Sequence, residues 1–178
     1  MRGDVSRVLI DRDRIAERVR EIGGEIARDY AGRDVAFVGI LKGAVVFFSD
    51  LIRSVDLKMS IDFMAISSYG SATKSAGVVR ITKDLDYDIV GKDVVVVEDI
   101  VDTGLTLSFL KENLLSRGAG TLRICALLDK AERRKTDIVP DYVGFSIPDE
   151  FVVGYGLDYA GHYRNLPDIC CLHPEIYK

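Results

Sequence analysis

Four consecutive valines, Val94-Val95-Val96-Val97, constrain the fold of this chain more than any other feature. Branching at Cβ stiffens the side chain and favours extended backbone. A strand with no polar alternation has no face to give to water, so the run predicts a strand buried on both sides, as in a parallel sheet. Helix-like and strand-like segments alternate around it. Asp11 to Tyr30 reads as a helix, because Ile15, Val19, Ile22 and Ile26 recur at spacings of four, three and four with charges between them. Gly32 stands where such a helix would stop. Val35 to Ile40 is an apolar strand, Leu41-Lys42-Gly43 a break, Ala44 to Arg53 a second helix, and Met59 to Ile66 a further strand. Ser67 to Gly77 is rich in small polar residues and predicts a mobile loop, with Val78 to Thr82 a strand leaving it. Leu105 to Arg117 reads as a helix ending at Gly118, and Leu122 to Leu128 as a strand. From Pro140 on the chain is turn-rich and strand-like. The alternation predicts an α/β class with a mainly parallel sheet.

Composition narrows the function classes. The 178 residues suit one domain, and 48% hydrophobic with 29% charged residues is ordinary for a globular protein. The net charge of −4 argues against general nucleic-acid binding, which wants a basic face, while leaving room for a local cationic pocket. Cys125, Cys170 and Cys171 form no disulfide framework and no metal-spaced cluster. Cys125 lies in an apolar run and is expected in the core; Cys170 and Cys171 would face apart on a strand. The start, Met1-Arg2-Gly3-Asp4, does not read as a signal peptide, and no apolar run has membrane-spanning length. These features together lead to the expectation of a reducing cytoplasm and no membrane partner. His162 and His173 read as surface histidines.

The segment after the valines carries the chemistry. VVVVEDIVDTGLT, Val94 to Thr106, is a buried strand, two adjacent carboxylates, then a Thr-Gly turn opening a helix. Ligands of open α/β sheets bind beyond the carboxyl ends of the strands. A helix N-terminus offers free N–H groups and the positive end of a dipole, which suits phosphate. Thr103 and Thr106 add hydroxyl donors, and Gly104 permits close backbone approach. Glu98, Asp99 and Asp102 stand beside this anion site, where a bare phosphate loop would not want them. A ligand with phosphate, sugar hydroxyls and a developing cation would. The segment lacks the G-x-x-x-x-G-K-[ST] of a nucleotide-triphosphate loop. Asp102 alone would be read as a helix cap; the whole string favours the ligand site.

That string resembles the phosphoribosyl pyrophosphate (PRPP) signature of the type I phosphoribosyltransferases. Further segments resemble the hypoxanthine-guanine branch of that family over nearly the whole chain. The resemblance implies a mainly parallel central sheet flanked by helices, with a small hood formed by N- and C-terminal segments. It implies transfer of the 5-phosphoribosyl group from PRPP to N9 of hypoxanthine or guanine, giving IMP or GMP and pyrophosphate, with Mg²⁺ as cofactor. By the same likeness Asp102, Thr103, Gly104, Leu105 and Thr106 hold the 5′-phosphate, and Glu98 and Asp99 serve the ribose and the metal. Asp102 is also the implied general base toward N7. Gly39-Ile40-Leu41-Lys42-Gly43-Ala44 resembles the pyrophosphate loop, where the peptide between Leu41 and Lys42 is often cis; Leu41, Lys42 and Gly43 join Arg164 in binding pyrophosphate. Ser68 and Tyr69 match the start of a closing loop.

Leu127-Leu128-Asp129-Lys130 resembles the segment with the purine-reading lysine, here Lys130, although a lone lysine at a strand end is ordinarily a solvated charge. In Phe151-Val152-Val153-Gly154-Tyr155-Gly156-Leu157-Asp158-Tyr159, the likeness gives Phe151 the stacking role and has Val152 and Asp158 address the exocyclic group. Asp158 is also implied as a second magnesium ligand. A homodimer or homotetramer follows from the resemblance alone. The rival from another class is a regulator that keeps the PRPP site as a sensor and binds nucleic acid. The acidic charge and the Lys130 and Phe151 base site argue against it. A rival within the family is an enzyme preferring xanthine.

Overall fold

The computed structural model describes residues 1–69 and 78–177. In chain order its elements are β1 (Val5–Ile10), α1 (Arg12–Asp29), β2 (Val35–Leu41), α2 (Val45–Ser54), β3 (Met59–Tyr69), β4 (Val78–Lys83), β5 (Asp93–Val101), α3 (Leu105–Ser116), β6 (Thr121–Asp129), β7 (Tyr142–Ser146), β8 (Val152–Val153), β9 (Ile169–Leu172) and α4 (Pro174–Tyr177). Six strands form one sheet in the order β4-β3-β2-β5-β6-β7, parallel except for β4 at the edge. The four valines sit in β5, near its centre. Val95 and Val97 enter the hydrophobic cluster that α1 and α2 cover, and Val94 and Val96 enter the cluster that α3 covers. Both faces of the strand are dry, as the missing alternation requires.

The predicted stripe of α1 is the buried one: Ile15, Val19, Ile22 and Ile26 all face the core. Each such aliphatic side chain contributes roughly 1.5–3 kcal/mol on burial. Asp11 caps the helix by accepting from the N–H groups of Asp13 and Arg14, both at 3.0 Å. Gly23 lets α1 and α2 touch, since a Cβ there would lie 2.5 Å from the Ser54 carbonyl oxygen.

A second sheet, in the order β1-β9-β8 and antiparallel, joins the two ends of the chain into the hood. Cys171 points into the cluster shared with the main sheet and Cys170 into a separate hood cluster, so the two thiols do face apart. Cys125 is fully buried.

Two boundaries differ from expectation. The loop predicted from Ser67 begins later: Ser67, Ser68 and Tyr69 continue β3, paired with Arg80, Val79 and Val78 of β4. Small polar residues suggested a loop, but an antiparallel partner supplies the hydrogen bonds that keep them extended. The rest of that predicted loop, 70–77, lies outside the described residues. Glu98 and Asp99 likewise do not follow the strand but belong to it, because β6 pairs with β5 as far as Val101↔Asp129.

Pairing of β5 with β2, by contrast, ends at Gly39↔Val97. The acids therefore stand past the point where β2 turns away. The strand order also reverses here, for β2 leads on to β3 on one side and β5 leads on to β6 on the other. A crevice at such a reversal, outside the carboxyl ends of the strands, is where open α/β sheets place their ligands.

Candidate active site

Three chain segments meet at the crevice, with the turn after β6 and the loop before β8 beside them. The first is the turn after β5. Gly104, with φ +80°, is the N-cap of α3, and no side chain caps that helix. Of its first N–H groups only that of Leu105 meets a side chain among the described residues, Thr103 Oγ1 at a long 3.5 Å, and the turn borders a small cavity of about 170 Å³, lined by Glu98, Ile100, Val101, Asp102, Thr103, Gly104, Thr106 and Leu107. Asp102 is not the cap. Its Oδ1 lies 2.7 Å from Arg133 Nε instead. A larger cavity of about 430 Å³ between α1, α2 and the hood reaches this chemistry only at Arg164. The phosphate-type donors and the acids singled out in the sequence line the smaller one.

Glu98 is buried, and that burial, followed by the charge of Asp99 beside it, pushes its carboxyl well above the usual range. The second segment is the turn after β2. The Leu41–Lys42 peptide is cis, a state that the resemblance leaves open, and Lys42 is exposed. Gly43 packs directly on Asp99: a Cβ there would stand 1.6 Å from Asp99 Oδ2. The third is the hood loop after β8. Its Gly156 leaves no room for a Cβ, which would lie 2.1 Å from the Gly43 carbonyl oxygen. Tyr155 donates to Asp50 Oδ2 of α2 at 2.7 Å, tying the same loop to the main sheet's helices.

Arg164 donates to the Gly156 carbonyl at 2.6 Å and pairs with Asp158 Oδ1 at 2.6 Å; Asp158 also accepts from the Gly161 N–H at 2.8 Å. Lys130, at the end of β6, is only 7% exposed. Its ammonium lies 3.6 Å from Asp149. Phe151 is 37% exposed, with Tyr177 stacked on it at 4.7 Å between ring centroids and Tyr159 edge-on at 5.6 Å. Val152 is buried in β8, where it pairs with Cys171.

A phosphoribosyl transferase domain profile matches residues 9–160. The hypoxanthine-guanine phosphoribosyltransferase of Bacillus subtilis (strain 168) is 48% identical over 100% of this chain and 99% of its own length. The chain belongs to the hypoxanthine-guanine phosphoribosyltransferase family. Its likeness extends to a solved structure, a hypoxanthine phosphoribosyltransferase from Staphylococcus aureus, with a TM-score of 0.96 and 50% identity covering 100% of this chain and 97% of that one. A bifunctional TilS/HprT protein of Listeria monocytogenes is 50% identical over all of this chain, which spans 28% of that longer protein.

As a hypoxanthine-guanine phosphoribosyltransferase fold, the chain brings most of the residues singled out in the sequence to one crevice or its rim. Glu98, Asp99, Asp102, Thr103, Gly104 and Thr106 are contiguous, and Leu41, Lys42 and Gly43 adjoin them across the β2–β5 gap. Leu105 is in the first turn of α3, with an exposed side chain. Ser68 and Tyr69 end β3. Sequence reading gives no role to Arg133, Arg134 or Asp149. Arg134 pairs with Asp129, and its Nη1 is buried with no hydrogen-bond partner among the described residues. It lies against the turn that opens α3: a Cβ on Gly104 would meet Arg134 Cδ at 3.0 Å and Thr136 Oγ1 at 2.3 Å. The signal was present in Arg133-Arg134-Lys135, but a basic run on its own reads as a solvated face.

Proposed function

We propose that this chain performs purine salvage, transferring the 5-phosphoribosyl group of PRPP to N9 of hypoxanthine or guanine and releasing pyrophosphate. The observation that carries the reading is the N-terminus of α3, which begins on a glycine and opens on a cavity lined by Glu98 and Asp102. Phosphate calls for the first, and sugar hydroxyls with a developing cation call for the second. The N–H groups of the Asp102–Thr106 turn, with the Thr103 and Thr106 hydroxyls, hold the 5′-phosphate. Glu98 and Asp99 accept hydrogen bonds from the ribose hydroxyls. Lys42, the backbone around Gly43, and Arg164 hold pyrophosphate.

The C1′–pyrophosphate bond loosens first, leaving an oxocarbenium-like sugar, as in glycoside chemistry. N9 attacks the opposite face while Asp102 takes the N7 proton. Lys130 donates to the 6-oxo group and Phe151 stacks on the ring, with Val152 and Asp158 addressing the exocyclic group. An adenine amino group would set donor against donor at Lys130.

The residues fit magnesium. Two adjacent acids, one buried and held toward its protonated form, are relieved by a cation. Mg²⁺ keeps waters and takes few protein carboxylates, so Glu98, Asp99 and Asp158 need not form a closed cage. Bound with PRPP, it would neutralise charge on the departing pyrophosphate.

Core and hood act as one domain, since the cluster containing Phe47 and Val97 also contains Ile10, Val152 and Cys171. Among the described residues no helix is long and apolar enough to cross a membrane. The reading places the protein in the cytoplasm, as a homodimer or homotetramer. A turnover assay with PRPP, Mg²⁺ and each of hypoxanthine, guanine, xanthine, adenine and uracil tests the activity. Hypoxanthine and guanine turn over and adenine does not; adenine used as readily as hypoxanthine overturns the base assignment.

A further inference from the structure

One cation at the base site has no part in the scheme above. Arg133 ends the 3-10 turn Ala131–Arg133 that follows Lys130. Its Nε lies 2.7 Å from Asp102 Oδ1, and its Nη1 lies 3.1 and 3.3 Å from the two oxygens of Asp149. Lys130 Nζ is 3.6 Å from Asp149 Oδ1. Asp102, Arg133, Asp149 and Lys130 therefore form a line of alternating charge. Its two ends are the proton acceptor and the donor to the 6-oxo group. Backbone bonds brace the line on either side of Asp102: Lys130 N–H to the Val101 carbonyl and Lys135 N–H to the Thr103 carbonyl, both 2.9 Å.

Arginine suits the middle position. Its planar fork carries donors at fixed, separate positions, so Nε meets Asp102 while Nη1 meets Asp149, where a lysine would have to serve both from one nitrogen. Asp149 has two cations to choose from, and Arg133 holds it at hydrogen-bond distance while Lys130 stands beyond it. The Arg133 hydrogen bond is the leading reason that the Asp149 carboxyl sits below its usual range. Without Arg133, the buried Lys130 would have Asp149 to itself, and a pair that close to the interior competes with any ligand acceptor.

At the other end, Asp102 Oδ1 is buried and accepts no well-formed hydrogen bond among the described residues. A guanidinium beside that oxygen restrains the carboxylate and leaves its second oxygen for an incoming proton. As a stabilising device the line is weak, because partly exposed ion pairs contribute little. Its worth lies in what it orients.

We propose that Arg133 is a positioning residue for both ends of the purine site: it restrains the Asp102 carboxylate and takes the larger share of Asp149, so that Lys130 keeps only a looser pair with it. This rests on the phosphoribosyl-transfer reading. Arg133→Ala, and Arg133→Gln as a variant that keeps most of the side-chain length, are compared with wild type by varying hypoxanthine and PRPP separately, with thermal melts alongside. Both variants raise the hypoxanthine KM about tenfold and lower kcat about tenfold, leave the PRPP KM within about twofold, and melt close to wild type. Adding Asp149→Asn to Arg133→Ala frees Lys130, so the hypoxanthine KM returns to within about threefold of wild type while kcat stays low. A structural role gives no such recovery. Wild-type kinetics in the Arg133 variants, or equal losses toward both substrates with a lowered melting temperature, or a double variant whose hypoxanthine KM stays high, overturns the proposal. A wild type that turns over no purine at all overturns the function itself, and this inference with it.

Discussion

The two halves of the crevice are made in different ways. On the phosphate side, Glu98 to Thr106 is one unbroken stretch, and backbone geometry sets it: the end of β5, the positive φ of Gly104, and the first turn of α3. On the base side, Lys130 and Arg133, Asp149 and Phe151, and Asp158 come from three stretches of chain, and side-chain ion pairs hold much of it together. Backbone donors cost no reorganisation when charge develops. Side-chain pairs can be re-partnered by a ligand, which suits the part of the site that has to tell one purine from another.

The largest expected effect breaks the comparison at the residue where the halves meet. Asp102→Asn removes the proton acceptor while leaving the turn in place. Its kcat should fall by about 10²–10⁴, the usual range for a general base, with PRPP affinity retained. Single-turnover kinetics with a PRPP-binding titration measures both, and near-normal turnover would remove Asp102 from the mechanism. Next comes Lys130→Ala. A charge-assisted hydrogen bond of roughly 1.5–3 kcal/mol corresponds to a loss of about tenfold to a hundredfold in kcat/KM for hypoxanthine. Discrimination against adenine should shrink with it. A variant that discriminates as well as wild type moves the reading of the 6-position elsewhere.

The same contrast explains what the sequence discloses. The valine run, the α1 stripe and the Asp-Thr-Gly turn are local patterns, and each appears in the structure where periodicity or turn chemistry places it. A cis Leu41–Lys42 peptide, by contrast, is raised only by resemblance. The line through Arg133 is not local at all, since Asp102 and Asp149 lie far apart along the chain and meet only because β6 brings Lys130–Arg133 between them. Charged residues in a turn carry no period, so nothing in the letters separates this arginine from a solvated one. The end of β3 was hidden for a related reason: whether Ser67 to Tyr69 are strand depends on a partner, β4, rather than on their own composition.

Gly43 tests the backbone-defined half by steric means. Its φ is ordinary, so the requirement for glycine is spatial: a Cβ would stand 1.6 Å from Asp99 Oδ2. Gly43→Ala forces Asp99 or the loop aside, at a cost of about 1–3 kcal/mol in the manner of an overpacked core. The loss should appear in the PRPP KM, with the hypoxanthine KM nearly unchanged. Equal rises in both constants would mean that the two halves are not separately built.

The smallest effect concerns stability alone, and it asks whether the phosphate side stores electrostatic cost in the free protein. Burial and Asp99 hold the Glu98 carboxyl well above its ordinary value of 4.5. In the unfolded chain it ionises near that ordinary value. Between that pH and the raised folded value, the native state carries the extra proton, so stability falls as pH rises. Below about pH 4.5 both states are protonated and no penalty is present. Glu98→Gln cannot ionise and escapes the decline. In chelator-treated protein without PRPP, the variant should melt close to wild type at the acid end and a few degrees higher at mildly alkaline pH. Its turnover should nevertheless drop, because a neutral amide is a poorer acceptor for ribose hydroxyls and a poorer ligand for a cation. A gain in stability with a loss of activity is the pattern of a site whose charges are arranged for its ligand rather than for the empty fold. Melting curves that run parallel for wild type and variant across the whole pH range would show that Glu98 carries no such cost.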